Sequence, residues 1–447
     1  MMRSILLFLG TMAIQTAVAE PTVFINVNVI PMTSETVVRA QTVIVKDGVI
    51  ETIGDVVSVP VPEESVVVDG TDRYLLPGLA EMHAHVPAAG SADLDRYFAL
   101  FVANGVTTVR GMLGQNSHLQ LRDDLLSGRA FGPRLITSGP SLNGRSVSGA
   151  ADGARQVREQ HSAGYDFLKI HPGLNAAEFA AIADAANELG IPFAGHVPAA
   201  VGVSNALASG IATIDHLDGY MAALLPANFD RSGGYGGFFD VLLAEQVNAD
   251  QVEMLAAATV RAGTWNVPTQ TLIEQLINDV PVNELRNRAD MQYMPAATVE
   301  RWVDAKRGQQ AERGFSPEVA QKAIDIRRAL ILALHEAGGR LLLGSDAPQI
   351  FNVPGFSLHY ELEVLVACGL TPYEALETGT TNVAEFLHLN TGAVAKGREA
   401  DLVLLDANPL EDITNTRRIH GVMVRGTWYS GGDIEGLLSR YRSAGQK

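Results

Sequence analysis

The sequence predicts an α/β protein: a (β/α)8 barrel of the TIM type, with a small β-sandwich domain built from both termini. Three observations lead there. Short apolar, strand-like segments alternate with helical ones through the middle of the chain. Eight such segments can be counted, the number that closes a barrel. The two ends of the chain are rich in Val and Ile and similar in kind, although far apart in sequence.

At the N-terminal side, "TVFINVNVI", "TVIVKDGVIETIG" and "SVVVDG" read as strands punctuated by Asp-Gly turns. At the C-terminal side, "ADLVLLD" and "GVMVRGTWYS" read the same way. The economical division is a composite β domain over 20–76 and 390–447, with the barrel over 77–389. The candidate barrel strands are 80–85, 106–110, 134–139, 166–171, 191–196, 211–216, 264–269 and 341–346. Helical stretches such as "DLDRYFALFVANG", "AAEFAAIADAANELG" and "SNALASG" lie between them. Gly105, Gly190 and Gly210 stand at helix C-cap positions. Right-handed crossovers make closure of eight strands natural. Two connections are long, 217–262 and 270–340. Both leave from strand C-terminal ends, so they read as partly helical lids, or otherwise as peripheral packing. The "GGYGGFF" tract at 233–239 reads as a lid tip.

Composition bounds the function. A 47% hydrophobic and 19% charged chain of 447 residues is globular. Its formal net charge of −17 argues against a nucleic-acid partner, because phosphate binding needs a concentrated basic face. The opening "MMRS", "ILLFLGTMAI" and "AVA" have the charged, apolar and small-residue zones of a secretory signal cut between Ala19 and Glu20. The alternative is an uncleaved anchor, for which the run is short: spanning takes about 20 apolar residues. Cys368 is the only cysteine, so no intrachain disulfide can form. An exported chain of this kind is expected in a bacterial periplasm, free of the membrane once the signal is removed, with a homo-oligomer as the expected assembly.

The chemistry is carried by residues at strand ends. In "LLPGLAEMHAH", His83 and His85 are two apart and share one face of a strand. "YDFLKIHPG" supplies Lys169, "IPFAGHV" His196, "IATIDHLDG" His216 and "LLLGSDAP" Asp346. All sit at C-terminal strand ends, the catalytic face of a barrel. Taken singly, each is an ordinary rim residue, turn former or solvated lysine. Taken together, imidazole and carboxylate without thiolate suit zinc, and less exclusively manganese, iron or cobalt. Candidate substrate contacts are His171, on the strand face of Lys169; Arg110 and Arg145, as clamps for a substrate carboxylate; and Tyr220, closing the pocket. Gln270 and Gln349 are weaker candidates. His118, His161, His335, His359, His388 and His420 read as structural or surface residues.

At these motifs the chain resembles the amidohydrolase superfamily, in the branch with imidazolonepropionase-like and prolidase-like members. The resemblance runs from "PGLAEMHAH" through the strand-end ligands to "GREADLVLLD". It departs at strand two, where Gly111 follows Arg110 in place of a frequent aspartate. In binuclear members it implies one ion on His83, His85 and Asp346 and a second on His196 and His216. A carboxylated Lys169 would bridge them; other members hold a single metal. Two divalent ions, zinc first, then imply attack by metal-activated hydroxide, with Asp346 as general base and then acid. The expected reaction is cleavage of an amide in a small-molecule substrate, a dipeptide or N-acyl amino acid. A cyclic amide, a lactone or an organophosphate ester would suit the same site, and a non-catalytic metal- or solute-binding protein is the rival outside enzymes.

Overall fold

The computed structural model describes residues 20–230 and 236–442. The signal-peptide segment 1–19 and the first part of the lid-tip tract lie outside the described residues. Both ends of the chain enter one eight-stranded sheet. From the N-terminal side come β1 (Thr22–Val29), β2 (Val38–Lys46), β3 (Val49–Asp55), β4 (Val66–Asp69) and β5 (Tyr74–Pro77). With β13 (Leu402–Leu405), β14 (Ile419–Val424) and β15 (Thr427–Ser430) from the C-terminal side, the strand order is β15-β14-β13-β5-β1-β2-β3, with β4 paired to β1. The seam between the two ends is antiparallel, with Leu75 opposite Leu404 and Pro77 opposite Leu402. Alternating Val and Leu residues bury one face. Phe24 and Trp428 meet edge to face across it, with centroids 5.1 Å apart.

Only Gly78 separates this sheet from the next strand, so the His83 strand is anchored at the seam. Parallel pairing joins β6 (Leu79–Ala84), β7 (Val106–Gly111) and β8 (Arg134–Thr137) in one sheet. It also joins β9 (Leu168–Ile170), β10 (Phe193–Gly195), β11 (Thr213–Asp215) and β12 (Trp265–Val267) in a second. Seven of the eight expected strands therefore form as ladders.

The eighth segment, 341–347, differs from expectation. It makes isolated parallel bridges, Leu341 to Asn266 and Ala347 to Ala84. Its ladder is broken because side chains and a remote carbonyl take its amides. Leu343 N–H donates to the Thr378 carbonyl at 2.9 Å, and Ser345 N–H to Glu81 Oε1 at 2.8 Å. A bridge from Ser138 to Phe167 likewise links the first parallel sheet to the second.

Helices cover the connections, and their ends are legible. Ala176–Leu189 opens on an Asn175–Glu178 capping box and closes on Gly190 at φ +69°. Gly105 and Gly210 also have positive φ just beyond helix ends. The long connections are mostly helical, including Val252–Ala262, Gln270–Ile277, Ala296–Gln310 and Pro317–Glu336. Cys368 is buried and free. No helix among the described residues is long and apolar enough to cross a membrane.

Candidate metal centre

The strand ends bring their imidazoles to one place. The ring centroid of His83 lies 5.9 Å from that of His85 and 4.3 Å from that of His216. His216 in turn is 4.8 Å from His196, and His196 is 4.9 Å from His171. His216 and Asp346 follow their strand segments in the left-handed region, φ +63° and +61°. Such backbone costs about 1–2 kcal/mol for a residue with a Cβ, and here it turns both side chains off the strand axis at the rim.

Three of the four strand-end histidines are hydrogen-bonded through Nδ1, and the fourth, His83, sets Nδ1 close to a carboxylate without hydrogen-bond geometry. His83 Nδ1 lies 2.8 Å from Asp215 Oδ2, and His196 Nδ1 is hydrogen-bonded to Asp218 Oδ2 at 2.9 Å. His216 Nδ1 meets Thr269 Oγ1 at 2.9 Å. His85 Nδ1 meets the Gln349 amide at 3.1 Å; turning that amide over puts its oxygen in the accepting position. With Nδ1 engaged, Nε2 is the nitrogen left to ligate, the arrangement in which a second partner fixes ring angle and tautomer. Burial holds all four rings below the usual imidazole range, His85 at about 3, so they stay neutral and basic toward a cation.

His83, His85 and Asp346 each offer a ligand atom within 4.8 Å of the others. Asp346 Oδ1 is 3.2 Å from His85 Nε2 and 3.8 Å from His83 Nε2, yet it is buried with no hydrogen-bond partner. A buried carboxylate oxygen left bare is costly, by about 1–3 kcal/mol or more. Ligands on a tetrahedral zinc with bonds of about 2.0–2.1 Å stand a little over 3 Å apart. Spacing, donor types and the orphaned oxygen thus fit a divalent cation. The same features push the Asp346 carboxyl well above its ordinary value, burial first and the Glu81 and Asp215 charges after it, although Lys169 opposes them.

Lys169 is fully buried, with Nζ 3.3 Å from His83 Nε2. Burial lowers its ammonium to about 8 against the pull of Asp215 and Asp346, so a neutral amine is within reach near neutral pH. Space for its stem comes from Gly195, φ +123°. A Cβ there would stand 2.6 Å from the Ile170 carbonyl oxygen and 2.9 Å from Lys169 Cδ.

The expected substrate contacts divide. His171 stays beside the imidazole cluster, bonded to Ser141 Oγ at 3.2 Å, its ring lowered to about 3 by burial. Arg145 is exposed in the loop after β8. Arg110 is not placed as a clamp for substrate. Its guanidinium is buried and spent on Asp215 at 3.2 Å and on the Met82 carbonyl at 2.7 Å, between the rings of Phe167 and Phe386. Burial raises the Asp215 carboxyl, but Arg110 and Lys169 outweigh it and hold the group below its usual range. Arg110 therefore supports the residue that lies against His83. Tyr220 is also withdrawn, fully buried with its hydroxyl on Thr259 at 2.8 Å and Asn266 at 3.1 Å. Gln270 is buried against Arg327 and Glu274, whereas Gln349 stands at the site.

Sequence reasoning missed the supporting residues. Asp215 and Asp218 flank His216 in the quoted "DHLD", and Glu81 precedes His83 by two. Acidic residues so close to ligand histidines were the available signal. It also missed Phe239, whose ring stacks on His216 at 5.0 Å and on His196 at 5.9 Å. Of the histidines read as structural, His118 bonds the Pro87 carbonyl, His335 pairs with Glu374, His359 with Thr416 and His420 with Asp406.

The Amidohydrolase family profile matches residues 74–429. The chain belongs to this family and so to the hydrolases that act on C–N bonds. An imidazolonepropionase of Deinococcus deserti is 34% identical over 111 residues, 23% of this chain and 27% of that protein's own length. The ochratoxinase of Aspergillus niger is 23% identical over 398 residues, 84% of this chain and 79% of the relative. Among solved structures, a putative prolidase from Bifidobacterium longum shares the fold, with a TM-score of 0.67 at 24% identity. That alignment covers 95% of this chain and all of the other.

Proposed function

We propose that this protein is a metal-dependent hydrolase cleaving the amide bond of a small substrate, a dipeptide or N-acyl amino acid. One observation carries the reading: His83 and His85 bring Nε2 to 3.8 and 3.2 Å from a buried Asp346 oxygen that has no hydrogen-bond partner, with the ring of His216 beside His83 and that of His196 beside His216. His83, His85 and Asp346 would hold a first divalent ion, zinc by donor type. His196 and His216 would hold a second, with Lys169 carboxylated between them. Bound there, such ions polarise a carbonyl and acidify a water. Asp346 accepts the proton of the attacking water and passes it to the leaving nitrogen as the C–O bond forms and the C–N bond breaks. His171, beside the imidazole cluster, and the exposed Arg145 would be the contacts for the rest of the substrate.

We further read the eight parallel segments as staves of one (β/α)8 barrel, with 20–76 and 390–447 as the composite β domain beside it. The bridges at Leu341, Ala347 and Ser138 support closure. The signal-like N-terminus supports export to a periplasm.

Metal analysis of the purified protein, followed by assay on a dipeptide, N-acyl amino acid, lactone and phosphotriester panel, tests the reading. Fastest turnover of the first two is expected. Preference for a lactone or phosphotriester would overturn the substrate class. Bound metal without turnover on any of them would identify a binding protein.

A further inference from the structure

The eighth strand segment is joined to the first by two backbone hydrogen bonds with one side chain set between them. Glu81 lies on β6, two residues before His83, and is fully buried. Its Oε1 accepts from the His83 amide at 3.0 Å and from the Ser345 amide at 2.8 Å. Its Oε2 accepts from the Ser345 hydroxyl at 2.5 Å, which also meets Ser357 Oγ at 2.7 Å. Backbone bonds flank this point on both sides, Met82 N–H to Leu343 O at 2.8 Å and His85 N–H to Ala347 O at 2.9 Å. Between them the carbonyls are taken by other side chains: Arg110 holds Met82 O, and Asn352 holds Ser345 O. Gly344 permits the close approach, since a Cβ there would stand 2.9 Å from His83 N and 3.2 Å from Glu81 Oε1.

We propose that Glu81 is a positioning residue for the His83, His85 and Asp346 trio, and that it sets the distance between the strand bearing both imidazoles and the segment bearing the carboxylate. This rests on the metal reading above. The two amides that Glu81 gathers belong to His83 itself and to the residue preceding Asp346. A change in its reach therefore moves one part of the ligand set against the other. The demand is for length and an oxygen acceptor, not for charge. A glutamine keeps Oε1 on both amides and turns its NH2 to the Ser345 hydroxyl, which can accept and still donate to Ser357. An aspartate is one methylene short and cannot span.

The test is zinc affinity and stoichiometry in Glu81→Gln, Glu81→Asp and Glu81→Leu, read by competition with a chromophoric chelator, with the thermal midpoint of each metal-free variant recorded alongside. Partners behind a ligand are worth about 10- to 100-fold in metal affinity. Glu81→Asp and Glu81→Leu should weaken the tightest zinc site by that factor, while Glu81→Gln stays within about threefold of wild type. If Gln loses as much as Leu, charge and not reach is at work, and the proposal falls. It also falls if Asp and Leu lower the melting point but leave zinc affinity unchanged. Should both fail to fold, Ser345→Ala is the substitute: it strands Oε2 and should weaken zinc severalfold, and an unchanged affinity overturns the proposal. A wild-type protein that takes up no zinc, manganese or cobalt ends the metal reading itself. Binding by wild type with no effect of any variant ends this proposal alone.

Discussion

Asp218 Oδ2 is shared between two donors of the same strand end, His196 Nδ1 at 2.9 Å and the Val197 amide at 3.1 Å. The carboxylate thereby fixes both the ring angle of His196 and the chain that leaves β10. Asp218→Ala frees the imidazole to rotate and to exchange tautomers. The affinity of the second ion proposed for His196 and His216 should fall by about 10- to 100-fold. Elemental analysis after dialysis should show metal lost from that position first, while zinc bound tightly by His83, His85 and Asp346 remains.

Asp346 has the position the proposed proton carrier needs, a bare oxygen 3.2 Å from His85 Nε2 and 3.8 Å from His83 Nε2. Asp346→Asn keeps the shape and removes the base. kcat should fall by about 10^2- to 10^4-fold, with KM changed far less. Steady-state kinetics on the best substrate of the panel separates the two. A variant that kept most of its kcat would assign proton transfer to another group.

The sequence made the ligand strands legible because their signals are local. His83 and His85 are two apart in an apolar strand, and Gly190 closes a helix whose capping box is written in "NAAE". What it hid depends on distance along the chain. Arg110 looks like a free cation at a strand end until Asp215, more than a hundred residues on, is folded against it. Glu81 looks like one more rim carboxylate until Ser345 arrives beside it. The irregularity of the eighth strand is hidden for the same reason: "LLLGSD" has a strand's composition, but two of its amides are claimed by Glu81 and Thr378.

Phe239 lies over His196 and His216 with φ +54°, and Asp240 follows at φ +59°. Two successive left-handed residues, neither a glycine, are unusual and strained. Phe239→Ala and Phe239→Gly both remove the stacked ring, but only glycine relieves the backbone. Despite glycine's greater chain entropy, the Gly variant should be the more stable of the two by about 1 kcal/mol. Urea denaturation of the pair measures this difference directly. Equal stability would mean that the turn relaxes once the ring is gone.

Removal of metal should destabilise the fold, since the ligands come from strands far apart in sequence. A ligand held at about 100 times its Kd adds roughly 2.7 kcal/mol to unfolding. Chelator should therefore lower the melting temperature by several degrees, and added zinc should restore it in a concentration-dependent way. Glu81→Leu should show a smaller zinc-induced shift than wild type at the same zinc concentration.

His359 provides a pH test away from the metal. It is buried, hydrogen-bonded through Nδ1 to Thr416 at 3.0 Å, and lowered to about 3 by burial, with the Arg417 charge adding to the effect. The unfolded chain protonates this ring below about pH 6.5, while the folded chain keeps it neutral down to about 3. Between those values the unfolded state binds the extra proton, so stability falls as pH falls, by at most about 1.4 kcal/mol per pH unit from this group. Above pH 6.5 both states are neutral there and the contribution is constant. His359→Asn keeps a polar group near Thr416 and cannot take up the proton. Its stability should decline less steeply than wild type between pH 6 and 4, by about one proton's worth of slope. Denaturant titrations of the two metal-free proteins across that range give the slope, and parallel lines would show that His359 protonates as readily folded as unfolded.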